Sequence, residues 1–417
     1  MRVGLLAPRS RLEDGGGHTF EEDLFLSFLK LHKDTRHQLI VFADDERWRT
    51  RLSEYDIEVV ISRYVRLRRT AGAFRKLINS FFTNVLGLPN PIRTEEWMDP
   101  ILFKHGIAFF VNLTPSTVTR EVPYLTQIWD LQHRVQPYFP EVSVKGRWSR
   151  WEAKFAALAS RASFVVVPNE KSKRELQLFY GLVEDRIRVL PEPTPSFALA
   201  AGNEPKRPLP KHLGIGEGYL LYPAQFWPHK NHSTILRALT VLRDKYSCRP
   251  SAVFVGADWG NLDYVRRLTV ELGLSDQVHF LGLVSREDLI ALYQNAEALV
   301  YASMFGPENL PPLEAFALRC PVIAAKISSA DQLGDAALIV DETDERAYAD
   351  AFYRLHQDPA LRAELISKGL QRAVKFTGDD FAREVFRILD EFENIRATWS
   401  SYSRHDPQFR VRHLFGG

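Results

Sequence analysis

Tyr301-Ala302-Ser303-Met304-Phe305-Gly306-Pro307-Glu308-Asn309-Leu310-Pro311-Pro312-Leu313-Glu314-Ala315-Phe316 is the stretch from which the architecture is read. An apolar strand ends at Ala302 and a loop of Gly, Pro and Asn follows. Pro311 and Pro312 then suit the first turn of a helix, where no backbone donor is required. The free N–H groups of such a helix start attract anions, phosphate oxygens among them. Glu314 falls about one turn into the helix. With Leu313 and Phe316 toward the core, it faces back to the loop, where a carboxylate can accept two hydrogen bonds from a diol. A lone glutamate there serves equally as a partner of the helix dipole.

Strand, loop and helix repeat in this order along the whole chain. Strand candidates in the first half are Arg2 to Ala7, Gln38 to Ala43, Ile57 to Ile61, Ile107 to Asn112, Leu125 to Trp129, Phe164 to Pro168 and Ile187 to Leu190. In the second half they are Tyr219 to Ala224, Ala252 to Gly256, Val278 to Gly282, Ala298 to Ala302, Val322 to Ala325 and Ala337 to Val340. Amphipathic stretches such as Glu170 to Tyr180 lie between them, the pattern of parallel sheets with crossover helices. Pro191, Pro193, Pro195, Pro205, Pro208 and Pro210 mark the strongest linker, since proline neither donates to a ladder nor continues a helix. The expected fold is α/β, with two doubly wound Rossmann-like domains, 1–195 and 211–376, facing across a cleft. Such sheets bind ligands at the carboxyl ends of their strands. Asp344 to Phe392 reads as three successive helices, the last (377–400) crossing back to the first domain.

The chain of 417 residues is too long for one ordinary core. A net charge of +2 argues against a nucleic-acid binder. Cys248 and Cys320 stand alone, which disfavours a disulfide framework or zinc site and fits a reducing, cytoplasmic setting. The opening Met1 to Pro8 is too short for a signal peptide, and no apolar run reaches membrane-spanning length.

A second segment, Tyr222-Pro223-Ala224-Gln225-Phe226-Trp227-Pro228-His229-Lys230-Asn231-His232, follows a strand and leads into a helix over Ser233 to Arg243. A lysine at such a turn can place a point charge against a diphosphate. In the first half, Asp14-Gly15-Gly16-Gly17-His18-Thr19-Phe20-Glu21-Glu22 opens a helix, with Thr19 and Glu22 at capping-box spacing. Gly16 and Gly17 permit close backbone approach to a ligand, although a plain helix start explains them as well. Ile128-Trp129-Asp130-Leu131-Gln132-His133-Arg134 follows another strand. Asp130 and His133 are catalytic candidates there, and a capping aspartate is the equal alternative for Asp130. The basic and apolar run from Arg63 to Phe82, and Arg147-Trp148-Ser149-Arg150-Trp151, can rest on an anionic membrane; a solvated helix face is the plainer expectation.

Together these segments resemble the group 1 (family 4-like) retaining glycosyltransferases of the GT-B fold. The likeness runs on through Phe280-Leu281-Gly282-Leu283-Val284, Leu289 to Tyr293, Gly334 to Asp341 and Asp358 to Arg362. It implies an acceptor-binding first domain and a nucleotide-sugar-binding second domain. It implies that Lys230 binds the donor diphosphate, Val284 borders the base and Glu314 holds the ribose. Asn309, Leu310 and Pro311 would lie against sugar and phosphates, with Gly16 and Gly17 near the donor. Lys230, Asp130, His133 and Glu308 are then the catalytic candidates. Two positions depart from the family pattern. Gln225 or Ala224 stands where an arginine is usual, and Gly306 where a sugar-facing glutamate is usual, with Glu308 nearby.

The implied activity is retaining transfer of a hexose to a glycan or lipid-linked acceptor. GDP-mannose is slightly favoured as donor because this branch resembles mannosyltransferases. No metal or cofactor is expected beyond the donor itself. A cytoplasmic location follows, with peripheral attachment to the membrane as a variant. The rival readings are a degenerate sugar-nucleotide binder, an epimerase or a hydrolase on the same fold.

Overall fold

The computed structural model describes residues 1–9, 15–62 and 98–398, the side chains of 327–330 excepted. The expectations for Arg63 to Phe82, for Asp14 and for the last two residues of the helix 377–400 lie outside the described residues.

The first sheet is built from β1 (Arg2–Leu6), β2 (Gln38–Ala43), β3 (Glu58–Ile61), β4 (Phe109–Val111), β5 (Tyr124–Gln127), β6 (Phe164–Val167) and β7 (Ile187–Val189), in the order β3-β2-β1-β4-β5-β6-β7. The second contains β8 (Leu220–Pro223), β9 (Ala252–Val255), β10 (Val278–Gly282), β11 (Ala298–Tyr301), β12 (Val322–Ala325) and β13 (Ala337–Val340), in the order β10-β9-β8-β11-β12-β13. Every strand pairing in both sheets is parallel. The protein thus has two doubly wound α/β sheets, the architecture expected of the GT-B fold.

Side-chain alternation shows why these strands bury both faces. Phe109 and Val111 join Val3 and Leu5 on one side of the first sheet, while Phe110 joins Ile40 and Phe42 on the other. The first of these faces is covered by Leu24, Phe25 and Phe28 of the helix Gly16–Lys30. It is also covered by Phe381, Val385, Leu389 and Phe392 of the helix Gly378–Arg396. Each such side chain removed from water contributes about 1.5–3 kcal/mol, which seats the chain's last described helix on its first sheet. Thr377 and Asp380 close a capping box at its start, so the crossing chain enters the helix with its terminal N–H groups satisfied.

The segment expected as a bare linker is partly ordered by local propensity. Ser196–Gly202 forms a helix, its alanines Ala198 and Ala201 buried, and Lys211–Leu213 forms a 3-10 turn. Asp23 on the first helix accepts from the Ser196 amide at 3.0 Å and from its hydroxyl, pinning the chain as it leaves the first domain.

Candidate active site

A cavity of ≈ 490 Å³ lies between the two sheets and is lined from both. Its walls come from the segments just after β1, β5, β7, β8, β9, β10 and β11, the carboxyl ends where doubly wound folds bind ligands.

Two helices open onto it by their N-termini. The helix Gly16–Lys30 starts at Gly15, whose φ of 65° favours glycine, and it has no side-chain cap and no acid in its first turn. The helix therefore begins before Thr19, and the capping box expected from Thr19 and Glu22 does not form: both lie inside the helix. Glu22 instead pairs with Arg51 at 3.0 Å and Arg286 at 3.5 Å. On the opposite wall the helix Leu310–Ala317 starts at Asn309, also without a side-chain cap or first-turn acid, and with prolines in its first turn. Gly16, Gly17, Asn309 and Leu310 all line the cavity. The two starts meet there, for a Cβ on Gly16 would lie 3.7 Å from Leu310 Cδ1.

Lys230 is the cation between them. The 3-10 turn Pro228–Lys230 delivers it, and Asn231, left-handed at φ 54°, begins the next helix. Asn231 fastens the turn by donating to Glu342 O at 2.7 Å and Ala302 O at 3.3 Å. Lys230 Nζ donates to Tyr301 Oη at 2.9 Å, and Tyr301 Oη donates to Asn309 Oδ1 at 2.8 Å. Asn309 Nδ2 then reaches Gly306 O at 3.2 Å. One hydrogen-bonded chain so joins the lysine turn to the loop after β11.

Gly306 has φ 133°, and a Cβ there would lie 2.8 Å from Asn309 Nδ2 and closer still to its Oδ1. A glutamate cannot be accommodated at this position without moving Asn309. Glu308 lines the cavity but is turned to the first domain, its Oε2 accepting from the Glu192 amide at 2.5 Å. Burial, and then the charge of Glu192, push the Glu308 carboxyl up to about 9. Burial pushes Glu192 to about 7, with Lys230 opposing and Asp130 reinforcing the rise.

Further along the helix Leu310–Ala317, Glu314 is buried and accepts from Tyr293 Oη at 2.6 Å, and Val284 and the half-exposed Leu283 also line the cavity. Burial pushes Glu314 up to about 7, against the Tyr293 hydrogen bond. Gln225 lines the wall near Gly15 and accepts from Trp227 Nε1 at 2.9 Å.

The turn after β5 divides its two candidates. Asp130 lines the cavity and also accepts from the Gln132 amide at 3.0 Å, a turn bond just ahead of the helix Gln132–Val135 whose N-cap is Leu131; burial raises its carboxyl. His133 does not reach the cavity. It is fully buried, stacked on Phe155 at 5.3 Å and flanked by Trp148 and Trp151, with Nε2 3.1 Å from Glu152. The side chain three residues past Asp130 turns into an aromatic cage from the helix Arg147–Arg161, and burial lowers its pKa. The same cage draws in Trp148 and Trp151, which the sequence offered as surface groups.

Sequence reasoning left Tyr301, Glu192 and Glu141 without roles. Glu141 accepts from His229 Nδ1 at 2.6 Å, linking the first domain to the lysine turn. Among the described residues the group that could hold a metal ion is His37, just ahead of β2, with Asp390 and Glu393 of Gly378–Arg396, away from the cavity. Arg36 already pairs with both carboxylates, at 2.6 and 2.9 Å. No helix among the described residues is long and apolar enough to cross a membrane.

Residues 208–372 match the family model described as glycosyl transferases group 1. Over that stretch, which spans the second domain, the chain is similar to the group 1 glycosyltransferases. The O-antigen chain mannosyltransferase RfbU of Salmonella typhimurium is 27% identical over 296 residues, 70% of this chain and 76% of that protein. The O-antigen chain mannosyltransferase B of Escherichia coli is 27% identical over 249 residues, 58% and 64%. The chain also superposes on Anabaena HepE, solved in complex with UDP and glucose. The TM-score is 0.62 at 17% identity, covering 94% of this chain and all of that one, a likeness of fold alone.

Proposed function

We propose that this enzyme transfers a hexose, with retention, from a nucleotide diphosphate sugar to a glycan or lipid-linked acceptor. The observation that carries the reading is the convergence of two uncapped helix N-termini and Lys230 on one cavity, an arrangement suited to a diphosphate. Glu314 lies a short way along the same wall and takes the ribose diol, with Val284 against the base. The sugar then occupies the space beside Gly306, Asn309 and Glu308.

In the reaction the bond from the anomeric carbon to the diphosphate breaks and the bond to the acceptor oxygen forms on the same face. The acceptor proton passes to the leaving diphosphate. Lys230 and the two helix starts stabilise the charge growing there, and Asp130 lies across the cavity on the acceptor side. GDP-mannose is the favoured donor, in keeping with the mannosyltransferase names of both relatives. The protein's place is the cytoplasm or the inner membrane face, and it needs no metal.

The test is a thermal-shift panel of GDP, UDP, dTDP and their sugars, followed by transfer assays of Lys230→Ala. One nucleotide series should raise the melting temperature. The variant should lose about 10- to 100-fold in donor affinity, the range of a charge-assisted hydrogen bond. Undiminished transfer by the variant would sink the assignment.

A further inference from the structure

Five carboxylates line the cavity: Asp130, Glu141, Glu192, Glu308 and Glu314. Four are engaged. Asp130 accepts from Gln132, Glu141 from His229, Glu308 from the Glu192 amide and Glu314 from Tyr293. Glu192 alone has a carboxylate that takes no hydrogen bond or ion pair from any described residue. This half-buried carboxylate lines the cavity with its acceptor oxygens uncommitted, so of the five it is the one left open to a ligand.

Its setting narrows what it meets. Glu192 follows β7 between Pro191 and Pro193, whose fixed φ values hold the backbone, and its own N–H is committed to Glu308. Lys230 and Asp130 are both near enough to act on its charge. It therefore lines the same cavity as the lysine that holds the diphosphate, and its backbone is bonded to the loop where the sugar belongs. That loop has glycine at 306, where strain and Asn309 exclude a side chain.

We propose that Glu192 is the donor-sugar specificity residue, its carboxylate accepting hydrogen bonds from two neighbouring hydroxyls of a neutral hexose. The carboxylate missing at Gly306 is thus supplied from the chain that joins the domains. The class of donor follows: a hexose with a free vicinal diol is accepted, while a uronate is repelled by like charge. This inference rests on reading the cleft as a nucleotide-sugar site.

Glu192→Gln keeps the volume and the backbone bond to Glu308 while removing the charge. Calorimetry would compare GDP-mannose with GDP alone on wild type and variant, and UDP-glucose with UDP, so that the difference isolates the sugar. The variant should bind the sugar nucleotide about 10- to 100-fold more weakly. Its affinity for the bare nucleoside diphosphate should stay within about twofold, which also reports a folded cleft. Preference for GDP-mannose over GDP-mannuronate should narrow. Equal loss for sugar nucleotide and bare diphosphate, or no loss for either, would overturn the role of Glu192. Wild type that binds no nucleotide at all would instead overturn the reading of the cleft, and this inference with it.

Discussion

Replacing Gly306 by alanine is a severe change for one methyl group. A non-glycine residue at φ 133° costs on the order of 1–3 kcal/mol in backbone strain. The added Cβ would also lie 3.0 Å from Asn309 Cγ and nearer to both amide atoms, so the carboxamide must move. Moving it breaks the bond from Tyr301 at 2.8 Å and the bond to Gly306 O at 3.2 Å. At about 0.5–1.5 kcal/mol each, the total is roughly 2–6 kcal/mol. For a domain of this size that lowers the melting temperature by about 5–20 °C. The assay is thermal unfolding of Gly306→Ala, Asn309→Ala and the double variant. In the double variant the clash is gone, so its cost should fall short of the summed single costs by about 1 kcal/mol or more. Melting of Gly306→Ala within about 1 °C of wild type, or strict additivity, would refute the account. Gly306→Glu carries the same backbone cost, so installing the family's glutamate should weaken donor binding rather than improve it.

Tyr301→Phe removes the hydroxyl shared by Lys230 and Asn309, and donor affinity should drop by about 3- to 30-fold, less than for Lys230→Ala, as read by calorimetry. Diphosphate affinity should decline as pH rises from 7 to 9. The sign follows from the raised carboxyls: Glu192 near 7 and Glu308 near 9 are neutral below those values and ionise above them, opposing the anion against the pull of Lys230. Titration calorimetry in buffers of different ionisation enthalpy would check it, and affinity that is flat or rising over this range would contradict it.

Much of this was legible in the sequence because parallel strands buried on both faces read as short apolar runs, and each strand expected from such a run has its counterpart in the sheets. The glycine, lysine and proline turns were legible for a related reason, since unusual backbone positions need particular residues. The remainder depended on partners far away in sequence. His133 looks like a site histidine until the helix Arg147–Arg161 brings Trp148, Trp151 and Phe155 around it. Tyr301 has the burial of a core strand residue, 2% exposed, and only the approach of Lys230 and Asn309 gives its hydroxyl a role. Glu192 sits among prolines that mark a linker, a composition that speaks of backbone and says nothing about where a carboxylate points.

The loop after β11 is also the place where the first domain grips the second. Gln136 donates to Met304 O at 2.9 Å, Asn169 to Pro307 O at 3.0 Å, and the Glu192 amide to Glu308. Glu141 holds His229 from the same side. At about 1 kcal/mol for each bond, separating the domains at the cleft forfeits a few kcal/mol before any apolar contact is counted. Leu310 adds to that cost, because it is buried in the first domain's cluster while belonging to the second domain's helix. Residues that line the cavity are therefore among those that hold the two domains together. On the proposed function, a substitution at Gly306, Glu308 or Glu192 should act on donor recognition and on domain closure together, and comparing sugar nucleotide with bare nucleoside diphosphate would separate the two effects.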